Sequence, residues 1–261
     1  MARGVSTVLD VAVCLLLVGA AVATLASIPP AGGDDAPDAD GTARLLATGT
    51  VAVPAGGGTR HGTYGAHLAG AAVSAATVED RRLLETPYPA AVRRETANAT
   101  GDRTFVTARW EPYPDAVVGG RIAAGRRPPD SADIAATTLA VDSGVTAPDA
   151  GAAESFGTLG RALAAAYVEW AFPPERTRAA LVDPRTVDST AARYWTAADA
   201  VGADVDEPVA EADVGAANAA LAEALAERLA ADLRERYRTP EAAAANVTVD
   251  EVTVVVRRWE P

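Results

Sequence analysis

The chain has 261 residues, of which 49% are hydrophobic and 5% aromatic. That is enough for one core of ordinary domain size, or for two small cores. It carries 23 Lys and Arg against 35 Asp and Glu, for a net charge of −12, and all 23 cations are arginine. The absence of lysine excludes a Walker-type phosphate loop and a Schiff-base enzyme. The negative charge makes nucleic acid an unfavourable partner, because it repels phosphates.

The acidic, alanine-rich and lysine-free composition is typical of a haloarchaeal protein. Dense carboxylates keep a protein surface hydrated and self-repelling when salt shortens electrostatic screening to a few ångström. GC-rich codon usage is the alternative explanation, since it favours Ala, Arg, Gly and Asp without any selection on the surface. Of the two, we expect a haloarchaeal origin.

An apolar segment near the start of the chain is its most informative stretch. Residues 11–28 contain 18 positions without a charge. As a helix this segment is about 27 Å long, close to the roughly 30 Å of a hydrocarbon core. Pro29 and Pro30 end it. Because Arg3 and the amino terminus precede it, the positive-inside bias predicts a cytoplasmic amino terminus and places residues 29–261 outside the cell.

Two interpretations of this segment follow from its length and composition. A cleaved secretory signal needs a shorter apolar region that ends in a small-x-small site, which Ala21 and Ala23 supply. An uncleaved membrane anchor requires nothing further from the sequence. In both interpretations the rest of the chain is exported.

A third interpretation comes from a resemblance. The opening RGVSTVLDVAVCLLLVGAAV resembles the class III signal of archaeal type IV pilins and archaellins. In that family a prepilin peptidase cuts after a short basic segment that ends in glycine or alanine, and the apolar helix stays on the mature protein. The resemblance covers about residues 1–28. It implies a cut between Gly4 and Val5, with prepilin peptidase and other pilin-like subunits as partners.

The resemblance also implies a role for Asp10. Family members often carry a glutamate at the fifth mature position, which pairs with the terminal amine of a neighbouring subunit. Here the fifth position is Leu9, and the acid is Asp10 at the sixth. Asp10 is therefore the candidate for that contact, and the alternative is that it marks the membrane interface. The whole outline is similar to uncharacterised pilin-like surface proteins of haloarchaea.

The sequence divides into three regions. Residues 1–28 form the signal or transmembrane helix, 29–42 an acidic Pro/Gly linker, and 43–261 an extracytoplasmic domain. Alternation of β-branched segments with alanine-rich periodic ones predicts that this domain is α+β, with an antiparallel sheet and several helices.

Within this domain, strands are predicted from β-branched runs, and helices from apolar residues at helical spacing. The predicted strands are 43–53, 103–110, 117–124 and 247–259, and residues 134–141 are ambiguous between strand and helix. The predicted helices are 64–85, 155–172, 175–182, 187–201 and 212–238. Prolines at 87 and 89 are expected to stop the first helix, and a turn at 112–115 is expected to pair two of the strands.

The clearest helix is 212–238, in which leucines recur every fourth residue at 221, 225, 229 and 233. This spacing predicts an amphipathic helix that faces the core. A partner-binding or coiled-coil helix is the alternative, but a strict spacing of four departs from the 3.5-residue repeat of a coiled coil.

One short sequence occurs twice. Arg-Trp-Glu-Pro stands at 109–112 and again at 258–261, each time at the end of a β-branched segment. We expect two strands of one sheet with matching residues at matching pleat positions, and with both tryptophans anchored in a core. A carbohydrate-stacking platform is the alternative use of these tryptophans.

Candidate metal ligands have unfavourable spacing. His61 and His67 lack the i,i+4 geometry of a helical zinc pair, so we expect solvated or structurally satisfied histidines. Residues 35–41 imitate a calcium loop, but alanine occupies ligand positions where acids are needed, so a flexible hydrated linker is expected. Cys14 lies among apolar residues, which is typical of a small buried hydrophobe.

The carboxylates at 204, 206 and 207 form another candidate. A cation site or a carboxylate pair is one interpretation, and a solvated acidic face is the expected one. No residue is assigned a catalytic role, and no metal or cofactor is expected. Asn98 and Asn246 each begin a glycosylation triplet, with Asn98 predicted in a polar loop and Asn246 at a strand edge.

Taken together, the sequence predicts a membrane-anchored or pilin-like structural component of the cell surface, without catalytic activity. The alternative is a secreted or anchored extracytoplasmic domain that binds a ligand or acts as an enzyme.

Overall fold

The computed structural model describes residues 38–56 and 58–260. The apolar segment, with Gly4, Val5, Asp10 and Cys14, lies outside the described residues. The helices are α1 Ala39–Thr48, α2 Tyr64–Ser74, α3 Tyr88–Thr100, α4 Phe156–Ala171, α5 Pro174–Val182, α6 Val187–Val201, α7 Asp206–Ala210, α8 Val214–Arg236 and α9 Pro240–Ala244. The strands are β1 Thr50–Ala55, β2 Gly58–Thr63, β3 Ala76–Val78, β4 Arg81–Arg82, β5 Thr104–Trp110, β6 Val118–Gly125, β7 Ile134–Asp142 and β8 Glu251–Trp259.

Six of the strands form one antiparallel sheet. Its order is β4-β3-β6-β5-β8-β7, so the last strand of the chain inserts between β5 and β7. The remaining two strands, β1 and β2, form a separate antiparallel hairpin. The predicted α+β class, with an antiparallel sheet and several helices, is confirmed.

The two faces of the sheet differ sharply. Residues that are paired across strands share a face, and the row of Ala108, Ile122 and Val254 is buried beneath α1, α2 and α3. The alternate positions, such as Arg109 and Arg121, are exposed. We call this second side the open face; it is defined by the odd-numbered residues of β5, β6 and β8 and the even-numbered residues of β7.

A helical layer completes the core. Helices α4 and α8 pack along each other. The four leucines that sequence spacing assigned to the core, Leu221, Leu225, Leu229 and Leu233, are at most 2% exposed. The prediction of a core-facing amphipathic helix is therefore confirmed.

Trp110 joins this helical layer to the sheet. Its indole Nε1–H donates to the carbonyl oxygen of Val249 at 2.8 Å. Its ring stacks on the ring of Tyr167 in α4, with centroids 5.5 Å apart. The buried indole ring contributes apolar contact area, and its hydrogen bond fixes the orientation of the ring. The stacking contact therefore fixes α4 against the end of β5.

Asp232 of α8 holds the turn that connects β5 with β6. Its carboxylate accepts hydrogen bonds from the Tyr113 hydroxyl at 2.9 Å and from the Val117 backbone N–H at 3.0 Å. The Arg236 guanidinium donates to the same carboxylate from one helical turn away. Burial and the neighbouring Asp232 charge raise the pKa of Tyr113. The turn is therefore tied to a rigid helix.

The repeated Arg-Trp-Glu-Pro sequence does mark two strands of one sheet, β5 and β8, which are direct neighbours. Trp110 is 1% exposed and belongs to the hydrophobic core, so the anchor interpretation is confirmed for it. Trp259 is buried to 6% exposure but is not a member of that core cluster. The expectation of matching pleat positions is wrong. Trp110 lies on the helix-covered face, whereas the register puts Trp259 on the open face at the opposite end of the pair.

The predicted strand at 43–53 is wrong over its first half. Asp38 accepts a hydrogen bond from the Gly41 N–H and caps α1. The helix then buries Ala39, Ala43 and Leu46 on one side. Alanine, arginine and leucine are good helix formers, and β-branched residues become frequent only from Thr50, where β1 begins. The end of the predicted linker is therefore helical.

The predicted helix 64–85 ends early, at Ser74. The β-branched run that follows forms β3, and Glu79 and Asp80 make a two-residue hairpin turn with positive φ angles of 49° and 64°. Helix α3 was not predicted, because Pro89 is expected to end a helix. It lies in the first turn of that helix, where proline fits without losing a hydrogen bond.

Most of the other predicted elements are confirmed closely, whereas β2, α7 and α9 were not predicted. Strands β5 and β6 pair across the expected turn, and α4, α5, α6 and α8 begin and end within about two residues of the predicted bounds. The ambiguous segment 134–141 is a strand. The last predicted strand begins later than expected, at Glu251. Each helix in the described part of the chain is too short or too polar to cross a membrane.

Gly160 offers a direct test of the packing between α4 and α8. A Cβ added there meets the Ala226 carbonyl oxygen and the Ala230 nitrogen, each at 2.9 Å. We expect Gly160→Ala to lower the free energy of unfolding by about 1–3 kcal/mol, because two helix backbones must separate. The measurement is urea unfolding followed by circular dichroism.

Gly157→Ala is the matched control on the same helix. A Cβ at Gly157 meets nothing closer than the Ser155 hydroxyl at 3.7 Å, so this variant should be neutral or more stable by up to about 1 kcal/mol. Equal destabilisation by both substitutions would contradict the close helix contact.

Candidate functional site

A cleft of about 410 Å³ opens beside the β5–β6 turn. Three strands contribute an arginine to it: Arg82 comes from β4, Arg109 from β5 and Arg121 from β6. Glu111 and Gly119 also line the cleft. We call this space the arginine cleft. It concentrates positive charge on one surface of a chain whose net charge is −12.

The strand register explains why these arginines meet. Arg109 and Arg121 are direct cross-strand partners on the open face. Thr77 of β3 is paired both with Arg82 and with Gly119, so Arg82 lies in the neighbouring row. Like charges directly opposite each other destabilise a sheet. The arrangement therefore costs free energy unless anions lie close to it.

One arginine of the cleft has such anions within the chain. Arg109 forms ion pairs with Glu111 and, at 3.3 Å, with Asp115. Glu111 is itself fixed, because it accepts a hydrogen bond from the Asp115 backbone N–H and its side chain is 19% exposed. Among the described residues, neither Arg82 nor Arg121 has a carboxylate within 4.0 Å.

Glycines shape the floor of the cleft. A Cβ added to Gly119 lies 3.1 Å from the Trp110 carbonyl oxygen and 3.2 Å from the Glu111 side chain, so the missing side chain leaves room for that carboxylate. At Gly120, on the covered face, a Cβ would lie 1.9 Å from the Ala72 carbonyl oxygen. Helix α2 therefore packs directly on the β6 backbone, which keeps the floor rigid.

This set of groups is suited to binding an anion. Guanidinium groups present several donors in a planar fork that matches carboxylate and phosphate oxygens. The cleft holds arginines and one carboxylate already paired with Arg109, and no histidine lines it among the residues that the structure describes. Over residues 38–56 and 58–260, no three His, Cys, Asp or Glu side chains are grouped to hold a metal ion.

His67 is one of the two histidines that the sequence singled out, and it is a buried structural residue. Its Nε2 lies 3.1 Å from the Val51 carbonyl oxygen, and its Nδ1 lies 2.8 Å from the Tyr88 hydroxyl. A carbonyl can only accept, so Nε2 carries the proton and Nδ1 accepts from Tyr88. Burial lowers the pKa of His67. The imidazole thereby links α2 to β1 and α3.

His61, in contrast, lies exposed on β2. The structure does not bring the two rings together as a ligand pair, because both ring nitrogens of His67 are hydrogen-bonded to Val51 and Tyr88. The interpretation of the pair as one satisfied and one solvated histidine is confirmed.

The acidic candidates lie at helix starts. Within the run 35–41, Asp38 caps α1, so its described part opens a helix and the expected flexible linker is wrong there. Asp204 accepts a hydrogen bond from the Asp206 N–H, and Asp206 with Glu207 occupies the first turn of α7. Acids are favoured in that position by the helix dipole. All three are exposed, as expected for a solvated face.

Both glycosylation candidates are exposed, but neither has the predicted setting. Asn98 lies in the last turn of α3 and not in a loop. Asn246 lies in the turn after α9, where its side-chain amide donates to the Ala242 carbonyl oxygen at 2.8 Å. A glycan on Asn98 would therefore project from a helix.

Sequence reading missed the arginine cleft. Arg109 and Arg121 alternate with buried neighbours on their strands, which indicates a solvent-facing pleat position. Their meeting depends on the cross-strand register, and Arg82 belongs to a two-residue strand with no detectable pattern. The only local signal was an exposed arginine on a strand. Exposed arginines are common on strands, so this signal does not by itself indicate a binding site.

The burial of His67 predicts a pH dependence. Its folded pKa lies below the unfolded value of 6.5, so below that pH the unfolded chain binds the proton more readily than the folded one. The free energy of unfolding should therefore fall as the pH drops from about 7.5 to about 5.5, by at most about 1.4 kcal/mol per pH unit from this group. His67→Gln should remove this contribution to the pH dependence of the free energy of unfolding, as measured by urea unfolding at a series of pH values. A pH dependence unchanged by His67→Gln would contradict the assignment.

Comparison with known proteins gives one family. Residues 9–259 match a family described as "Family of unknown function (DUF7284)". No curated protein and no solved structure matches the chain. Because the match covers nearly the whole of the 261 residues, the chain belongs to this family of unknown function, DUF7284.

Proposed function

We propose that the protein is a membrane-anchored or pilin-like structural or assembly component of the cell surface of a haloarchaeon, without catalytic activity. The observation that carries this proposal is the uncharged apolar segment 11–28, followed by an acidic domain. In this arrangement the amino terminus is cytoplasmic and the domain lies outside the cell.

The core of the described domain supports a separate role for the apolar segment. Residues 38–260 bury an extensive apolar cluster of their own, contributed by the sheet and both helical layers. An 18-residue apolar run is therefore left for another environment, either lipid or a bundle of like helices. The family match begins at residue 9 and includes the segment, which favours a role for it that the family shares.

The polar interactions of the domain favour a structural role. His67, Asp232 and Asn218 each connect separate elements through hydrogen bonds. Asn218, for example, donates to the Phe172 carbonyl oxygen at 2.9 Å and accepts from the Tyr194 hydroxyl at 2.7 Å. These groups are used in holding the fold together.

The anchor is tested by fractionation of haloarchaeal cells that produce the full chain. We expect the protein to sediment with membranes, to resist extraction by salt, and to dissolve in detergent. Leu16→Arg should shift it towards the soluble or degraded fraction by more than tenfold, because a charge at the centre of a span costs about 2.5–3.5 kcal/mol. Leu16→Ile is the matched control and should stay in the membrane. Full-length protein that is soluble without detergent would contradict the proposal.

The amino-terminal sequence of the mature protein separates the modes of anchoring. A start at Val5 supports pilin-type processing after Gly4, with prepilin peptidase and other pilin-like subunits as partners. An intact terminus supports a simple anchor. A start near Ala26 means ordinary secretion and would contradict retention of the helix.

The arginine cleft favours a second candidate function. A rigid concave site with an excess of cations is suited to a small ligand, so an exported domain that binds such a ligand is the alternative to a purely structural role. The two functions are compatible within one chain, since the cleft and the apolar segment are different parts of it.

A further inference from the structure

We propose that the arginine cleft is a binding site for a small anion that carries two or more carboxylate or phosphate groups, held between Arg82 and Arg121. This inference deepens the second candidate function and does not depend on how the chain is anchored. The recognition chemistry is the pairing of guanidinium groups with oxyanions, which both kinds of acidic group share.

The charge balance of the cleft is the first argument. Three arginines line it, and the carboxylates of Glu111 and Asp115 both pair with Arg109. Arg82 and Arg121 therefore remain without an acid within 4.0 Å among the described residues. Only six of the 22 arginines among the described residues form ion pairs, so the lack of an acidic partner is common in this chain. Arg82 and Arg121 differ from most of the others because both line the same cleft, where one external anion can meet both charges.

The cross-strand pair is the second argument. Arg109 and Arg121 are direct partners on one face, an arrangement that destabilises the sheet through repulsion. On one side of the pair, Glu111 relieves this repulsion by binding Arg109. A ligand carboxylate or phosphate on Arg121 would do the same on the other side. The protein thus already contains, in Glu111, an oxyanion bound to this wall.

The geometry of the supporting strands is the third argument. Arg82 and Arg121 come from β4 and β6, which are separated by β3, so their strands are about 10 Å apart. Both arginines line the same cleft, and we infer that their long side chains bridge this spacing to hold one ligand with two acidic groups. The intervening positions are Thr77 and Gly119, which are small. The volume of about 410 Å³ lies within the range of pockets that hold small molecules.

The test is isothermal titration calorimetry on the full-length protein in detergent, at one fixed KCl concentration. Citrate is the carboxylate probe and pyrophosphate the phosphate probe, so the two arms tell which acidic group the cleft prefers. We expect one site per chain for at least one probe. Arg82→Gln and Arg121→Gln should each weaken its affinity by about tenfold or more, and added KCl should weaken it further.

Arg257→Gln is the matched control, because Arg257 lies on the same open face but outside the cleft; its affinity should stay within about twofold of the original. Glu111→Gln guards against a mere folding defect. It keeps an oxygen that can accept from the Asp115 N–H but removes a competing charge from Arg109, so it should bind the probe several-fold more tightly.

Absence of binding to both probes at low salt would overturn the inference. Equal weakening by Arg257→Gln, or weaker binding by Glu111→Gln, would overturn it as well. These results would not contradict the proposed membrane anchor. Conversely, a soluble full-length protein that still binds the probe would overturn the proposed anchor and leave the binding site supported.

Discussion

The pairing of β5 with β8 is the interaction on which the rest of the structure depends. It joins parts of the chain that are far apart in sequence: the Trp110 indole and the Val249 carbonyl, which are hydrogen-bonded beside this pair, are separated by 139 residues. Closing so long a loop costs entropy that the buried contacts of the sheet must offset. Once formed, the pair places the Trp110 ring against Tyr167 and so positions the helical layer. The core takes its geometry from this register, whereas the arginine cleft depends on the pairing of β5, β6, β3 and β4.

The sheet buries one face under helices, and within the part of the chain that the structure describes no helix packs over the other face, yet this open face is not fully exposed. Phe105 and Thr107, at its centre, are only 8% and 7% exposed. The Arg127 guanidinium lies 6.0 Å from the centre of the Phe105 ring. Long arginine stems can cover apolar surface while their charged ends stay in water. Arginine thus serves two purposes on this face, as a substitute for a packing layer and as the source of its positive charge.

The sequence was sufficient for elements whose signal is local. The leucine spacing of α8 and the turn between β5 and β6 each lie within a short window. The sequence was not sufficient over Ala43 to Leu46, whose residue types are compatible with both a helix and a strand. It was also misleading at Pro89, which lies in the first turn of a helix and was expected to end one. The arginine cleft was out of reach for a different reason. Its members are brought together by strand order and register, which no short window of sequence contains.

The position of β8 has a consequence for biosynthesis. Because β8 lies between β5 and β7, a nascent chain that has not yet reached residue 251 leaves β7 without its neighbour and β5 with one bare edge. Bare strand edges invite pairing with other chains. Until residues 251–259 have been made, one edge of β5 and the whole of β7 must therefore be kept from pairing with other chains, although β3, β5 and β6 can already pair with one another.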